Sequence, residues 1–373
     1  MTTMPDSSRI DAKIMNYLTQ KGWTKGVEKG PFVLVNPPNN IGFDPTFSLQ
    51  ILTNTSKKDY EEYNSKIIKI ISEIYDVNTE DLSSVIKNEA EVFSVKIKDE
   101  TTKEGSMGLQ KFEEFIKDVK ELLFNTAAFT LEEKPFIEKN PTEAEIYLTE
   151  CRFLQTRKGS FVTRILLPNK TKLRQTGLFG PEVTARQVND KLFEVLHFTK
   201  EKIIDSAGSE DYTNTFFQQN REVINLEVTK SIYNLISKNQ FETTNFSFVK
   251  YEDQNEDISI SNLSDQKIRN LSGFIDKINQ AIKEDEVKIS LSGHIVSLSV
   301  KDVDFERNMI KLLGLHERLG PVVLRIKLTE EEYVEAIDAH KAKKSMFFEG
   351  YVRRVKTSNN EFRATNVEKV SFR

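Results

Sequence analysis

The order of apolar patterns after Val287 constrains this chain more than any other feature. Strand-like alternation runs over Val287–Val300, Arg307–Leu313 and Val322–Leu328. A helical pattern follows at Thr329–Lys341, and strand-like alternation returns at Ser345–Val355 and Glu361–Val370. Thr329 is a good helix N-cap, and Glu330, Glu331 and Glu332 suit the positive end of the helix. Lys341, Lys343 and Lys344 suit the other end. Gly293 and Gly350 interrupt the first and fourth strands, where a missing side chain permits a sharp bend.

Three strands, a helix, then two strands is the chain order of the OB-fold, a five-stranded Greek-key barrel. The fold class expected is therefore α+β: a mixed α/β N-terminal body with long helices and a C-terminal five-stranded OB-like barrel. Within the body, helical spacing predicts helices near Ile10–Leu18, from Ser56 to Ile74, at Leu109–Phe129, at 184–205, at 213–239 and at Ser264–Lys283. Strands are predicted at Phe32–Val35, Phe47–Leu52, Val92–Ile97, 244–251 and 257–261. A hairpin is predicted from Ile146–Gln155 and Ser160–Leu167, turning at Arg157, Lys158 and Gly159. Residues 131–141, acidic and carrying Pro135 and Pro141, read as a linker. The domains expected are 1–130 (α/β), 142–285 (hairpin and helices) and 286–373 (barrel).

Composition narrows the class further. One cysteine, Cys151, excludes a disulfide framework within the chain and a cysteine-rich zinc site. The expected compartment is the cytoplasm. Met1–Arg9 is polar, with no apolar core of a secretory signal. No stretch approaches 18 apolar residues, so no membrane span is expected.

The stretches LSGHIVSL and RIKLTEEEYVEAIDAHKAKKSMFFEGYVRRV resemble the tail of a group of bacterial proteins with a C-terminal OB-like barrel and no assigned activity. Their tails place an Ala-His pair, here Ala339 and His340, before a strand with a conspicuous Gly, here Gly350. The stretch Arg152–Pro168, RFLQTRKGSFVTRILLP, is similar to their central hairpin. The resemblance implies an architecture and a bacterial origin. It carries no catalytic residue.

Catalytic patterns are weak. His197, His294, His316 and His340 include no i, i+4 pair and no HExxH, so no metal and no cofactor are expected. Ser160 is not in a GxSxG elbow, and Cys151 reads as a small core residue. Gly177–Pro181 and Gly105–Gly108 lack a phosphate-loop signature. Glu286-Val287-Lys288, with Asp276 upstream, has the spacing of a metal-dependent nuclease strand, although Asp276 falls in a helix pattern.

Charge is more informative. Val287–Arg373 holds 16 Lys+Arg and 12 Asp+Glu, leaving 37 and 45 for the rest, so an acidic body precedes a mildly basic barrel. OB-type barrels bind strands across their second and third strands and the adjacent loops. The matching cations are Arg307, Lys311, Arg325, Lys327, Lys356 and Arg363, with Phe305 and Phe362 as stacking groups. The leading expectation is a non-catalytic binding or accessory subunit of a bacterial multi-protein system, phage or genome defence included. Its partner would be another protein or a second copy of the chain. The alternatives are single-stranded nucleic-acid binding through the barrel, and a metal-dependent nuclease.

Overall fold

The computed structural model describes residues 9–44, 46–98, 102, 106–137, 140–155, 161–175, 182–206, 212–238, 243–252, 255–261, 264–284, 287–299, 308–316, 320–354 and 361–372. The chain forms two compact units, Met1–Ile278 and Asn279–Arg373.

The first unit begins with α1 (Ile10–Gln20) and an antiparallel sheet of β1 (Thr24–Lys29), β2 (Phe32–Asn36) and β3 (Leu49–Leu52). Two helices follow, α2 (Tyr60–Ile74) and α3 (Thr79–Asn88). Their apolar stripes close a core with Ile14, Leu18, Trp23, Ile51, Ile71 and Leu82 fully or almost fully buried. Asn78 starts α3 by accepting hydrogen bonds from the backbone N–H groups of Glu80 and Asp81.

A second sheet joins β4 (Glu91–Lys98), β5 (Arg152–Leu154), β6 (Phe161–Leu167), β9 (Thr243–Val249) and β10 (Glu256–Ser261) in the order β10-β9-β4-β6-β5. All its pairings are antiparallel. Alternation divides β4 between two faces: Val92 belongs to the core of α1, α2 and α3, while Phe93 packs on Phe246 and Phe248. Arg164 on β6 and Asp81 on α3 form a buried ion pair at 2.5 Å, pinning that helix to the sheet. A short hairpin, β7 (Lys172–Gln175) and β8 (Glu182–Thr184), lies between β6 and α6 (Ala185–Phe198) in the chain.

The remaining helices of the unit are α4 (Leu109–Glu132), α5 (Thr142–Glu150), α7 (Asn214–Gln219), α8 (Leu226–Tyr233) and α9 (Asp265–Glu284), which runs past Ile278. Three expectations are corrected here. The predicted first strand of the central hairpin is mostly α5: Pro141 precedes its first turn, Glu143 and Glu145 sit at the positive end, and Ala144 and Tyr147 bury one face. Only Arg152–Leu154 pairs with β6, and the turn at Arg157, Lys158 and Gly159 lies outside the described residues.

Residues 131–141 are not a free linker. The backbone N–H of Leu226 donates to Pro135 O at 2.8 Å, Asn225 Nδ2 to Lys134 O at 2.9 Å, and Ile137 N–H to Glu227 Oε2 at 2.8 Å. β4 pairs with β6 on one side and β9 on the other, so its sheet draws strands from both sides of this segment. The helix predicted at 213–239 is broken: Thr213 caps α7 and Asn225 caps α8 with side-chain acceptors, and the last turn, Asn234–Lys238, is π-helical.

The second unit is the closed barrel. Its strands are β11 (Val287–Ser299), β12 (Met309–His316), β13 (Gly320–Lys327), β14 (Ser345–Arg354) and β15 (Glu361–Phe372), with α10 (Glu330–Lys341) between the third and fourth. The order is β11-β12-β13-β15-β14, closed by β14 on β11. β13 and β15 are parallel, and the other neighbours are antiparallel. Ile289, Leu291, Leu312, Leu324, Ile326, Met346 and Phe348 fill the interior.

Thr329 and Glu332 form a capping box at the start of α10, and His340 Nδ1 lies 2.7 Å from Ile295 O on β11. The two glycines sit at close backbone approaches. A Cβ on Gly293 would lie 2.1 Å from Leu313 O, and one on Gly350 would lie 2.2 Å from Asn366 O. Gly350 sits at a register shift between β14 and β15, and Gly293 lies two residues before one between β11 and β12.

Candidate nucleic-acid interface

Strand alternation builds the outer face of β12, β13 and β15. Leu312, Leu324 and Phe362 point inward, so Lys311, Arg325 and Arg363 point outward. Register then aligns them: Lys311 is opposite Arg325, and Arg325 is opposite Arg363. Adjacent strands lie about 4.8 Å apart, so the three cations make a row roughly 10 Å long across three strands. Lys327 is exposed two residues further along β13.

Glu361 sits within this row. Its Oε1 accepts from Arg325 Nε at 2.7 Å and lies 3.1 Å from Lys311 Nζ. The Arg325 guanidinium, aided by Lys311 and opposed by partial burial, holds the Glu361 carboxyl below its ordinary value. The Glu361 carboxylate thus orients two of the cations, Arg325 and Lys311.

The fate of the other expected residues is mixed. Phe362 is 4% exposed inside the barrel core, so its ring is a packing group and not a stacking platform. Phe305, Arg307 and Lys356 lie outside the described residues. The large apolar side chains exposed on or beside this face are Leu313, Leu315 and Val296, with Leu315 at 75%. The row also has a member that sequence reasoning missed. Arg353 on β14 is opposite Arg363, and its Nη2 donates to Ile282 O at 3.3 Å. Only the β14–β15 register places it there, although its outward parity next to core Val352 was readable.

Other candidates do not assemble a reactive site among the described residues. No group of three or more His, Cys, Asp or Glu could hold a metal ion there. Glu286 lies outside the described residues; Lys288 pairs with Glu349 at 3.5 Å and Glu368 at 2.7 Å, and Asp276 lies on α9. Cys151 ends α5, where its thiol donates to Tyr147 O at 3.3 Å and burial pushes its pKa up to about 12.

The body does hold one strongly shifted carboxyl. Glu91 opens β4 at 1% exposure, with both carboxylate oxygens buried and lacking a hydrogen-bond partner. Burial, then the Asp190 charge, pushes its pKa up to about 7, against the pull of Lys250 and Arg186.

Fold and site together define a chain with a closed OB-like barrel that presents a cationic row on its second, third and fifth strands. No family model, curated protein or solved structure matches this chain, so the likeness drawn from its tail and central segment stands as a resemblance alone. No helix among the described residues is long and apolar enough to cross a membrane.

Proposed function

We propose that this protein is a binding module that holds single-stranded nucleic acid across β12, β13 and β15 of its barrel. The observation that carries this reading is the in-register row Lys311, Arg325, Arg363, with Lys327 beside it. Cations placed in a row neutralise successive phosphates and release their counterions, which is the sequence-independent part of such binding. Leu313 and Leu315 extend the face beyond the row with apolar surface for unstacked bases.

The test is fluorescence anisotropy with a labelled single-stranded oligonucleotide at low salt. Arg325→Glu plus Lys327→Glu weakens binding at least tenfold while circular dichroism shows the barrel intact. A wild-type chain that does not bind, or a double variant that binds equally, overturns the proposal.

The same exposed leucines suit a contact with another protein, which supports a wider reading of the chain as an accessory subunit of a multi-protein system. The single, unreactive thiol fits a reducing compartment. Co-purification from the source cell tests this setting; a chain that always purifies alone contradicts it.

A further inference from the structure

The N-terminal unit carries a cationic feature of its own. A cleft of about 550 Å³ opens at the starts of α1 and α2; among the described residues it is lined by Arg9, Lys13, Lys57, Lys58 and Lys87 with one carboxylate, Glu61. The volume falls within the roughly 300–1,000 Å³ of small-molecule sites, and the cleft stays broadly open to solvent.

Arg9 is already neutralised. Its Nε and Nη2 donate to the two oxygens of buried Asp11 at 3.1 and 2.9 Å, and the Tyr60 hydroxyl donates to the same carboxylate at 2.5 Å. This set joins α1 to α2 and gives the cleft a fixed wall. Lys13 Nζ donates to the backbone carbonyl of Lys87, which positions it without removing its charge. Lys57, Lys58 and Lys87 are exposed and have no carboxylate partner among the described residues.

Four lysines against Glu61 leave three positive charges facing one small volume. A single phosphate group carries about −2 at neutral pH and does not match that field; two linked phosphates do. Ile10 and Tyr60, the first residues of α1 and α2, line the cleft, and neither helix has a side-chain cap there. The Asp11 N–H donates to the Tyr60 hydroxyl and the Tyr60 N–H to Lys57 O, and Asp11, Glu61 and Glu62 occupy the first turns, so the lysine side chains carry the field.

The chain before Val287 holds 37 Lys+Arg and 45 Asp+Glu, so this lysine cluster is a local reversal of the segment's net charge and is confined to the cleft's few residues. We infer that this cleft binds a small ligand carrying two or more linked phosphates, a pyrophosphate or a nucleoside polyphosphate, with Lys13, Lys57, Lys58 and Lys87 as its cations. Lysine serves here as a mobile point charge, which suits a phosphate chain without fixed fork geometry.

Isothermal titration of the full chain with inorganic pyrophosphate, ATP and inorganic phosphate tests the inference. Pyrophosphate binds saturably at one site, and inorganic phosphate binds at least tenfold more weakly. Equal affinity for ATP and pyrophosphate means that the phosphate chain is the whole determinant, and tighter ATP binding means that the nucleoside adds contacts; either supports the site. Lys57→Glu plus Lys58→Glu, both on exposed side chains ahead of α2, weakens pyrophosphate binding at least tenfold. Arg325→Glu plus Lys327→Glu in the barrel leaves it unchanged, which separates this site from the proposed strand-binding face. Absence of saturable pyrophosphate binding, an unaltered Lys57/Lys58 variant, or loss in the barrel variant overturns the assignment.

Discussion

Glu91 places a titratable group where neither of its states is well served. Its carboxyl is buried without a hydrogen-bond partner, and burial raises its pKa from an ordinary 4.5 to about 7. Below pH 4.5 the group is protonated in folded and unfolded chains alike. As pH rises from 4.5 to 7, the unfolded chain releases the proton while the folded chain retains it, so stability falls through that window and levels above it. The difference amounts to roughly 3 kcal/mol. Glu91→Gln removes this loss. Thermal melts at pH 5 and pH 8 check it: the variant gains on the wild type as pH rises, and a difference that is the same at both pH values contradicts the assignment. At this scale the sequence was partly legible. The outward parity of Lys311, Arg325 and Arg363 follows from alternation beside Leu312, Leu324 and Phe362. The same parity puts Phe362 inside, so its reading as a stacking group conflicted with the pattern that placed its neighbour Arg363. Glu91 carried no sequence signal, because its burial comes from helices and strands distant in the chain.

Elements of the barrel were legible because each has its own punctuation. The capping box at Thr329 fixes the start of α10, and the glycines mark close backbone approaches. Those glycines are testable. In Gly293→Ala or Gly350→Ala the new Cβ meets a backbone carbonyl, which no rotamer change relieves. Each substitution destabilises the barrel by about 3 kcal/mol, the upper part of the range for overpacking. Urea unfolding of the full chain measures it; a variant within 0.5 kcal/mol of wild type, roughly the scatter of neutral surface changes, contradicts the close approach. Body elements were less legible where two periods competed. Ile146, Tyr147 and Leu148 suit a strand as readily as a helix, and the Pro141–Glu145 start signal decides for α5. α3 was missed although Asn78, Glu80 and Asp81 make a strong N-terminus. Its apolar residues are few, and only packing against β4 and α1 makes them a face.

For the molecule as a whole, the chain divides into Met1–Ile278 and Asn279–Arg373. A central strand that pairs with partners both 70 and 150 residues away, roughly the β4–β6 and β4–β9 separations, leaves no composition shift to mark its pairing. The charge division was plain in the sequence, and register brings Lys311, Arg325 and Arg363 from three strands of the basic segment into one row. Nucleic-acid binding through that row is tested most directly by the salt dependence of affinity for a single-stranded oligonucleotide. For single strands the slope of log K against log salt is about −0.7 per phosphate neutralised. The expected result is a steep slope for the wild type and one shallower by about 1.4 for Arg325→Glu plus Lys327→Glu, two contacts fewer. Equal slopes for the two proteins would contradict it.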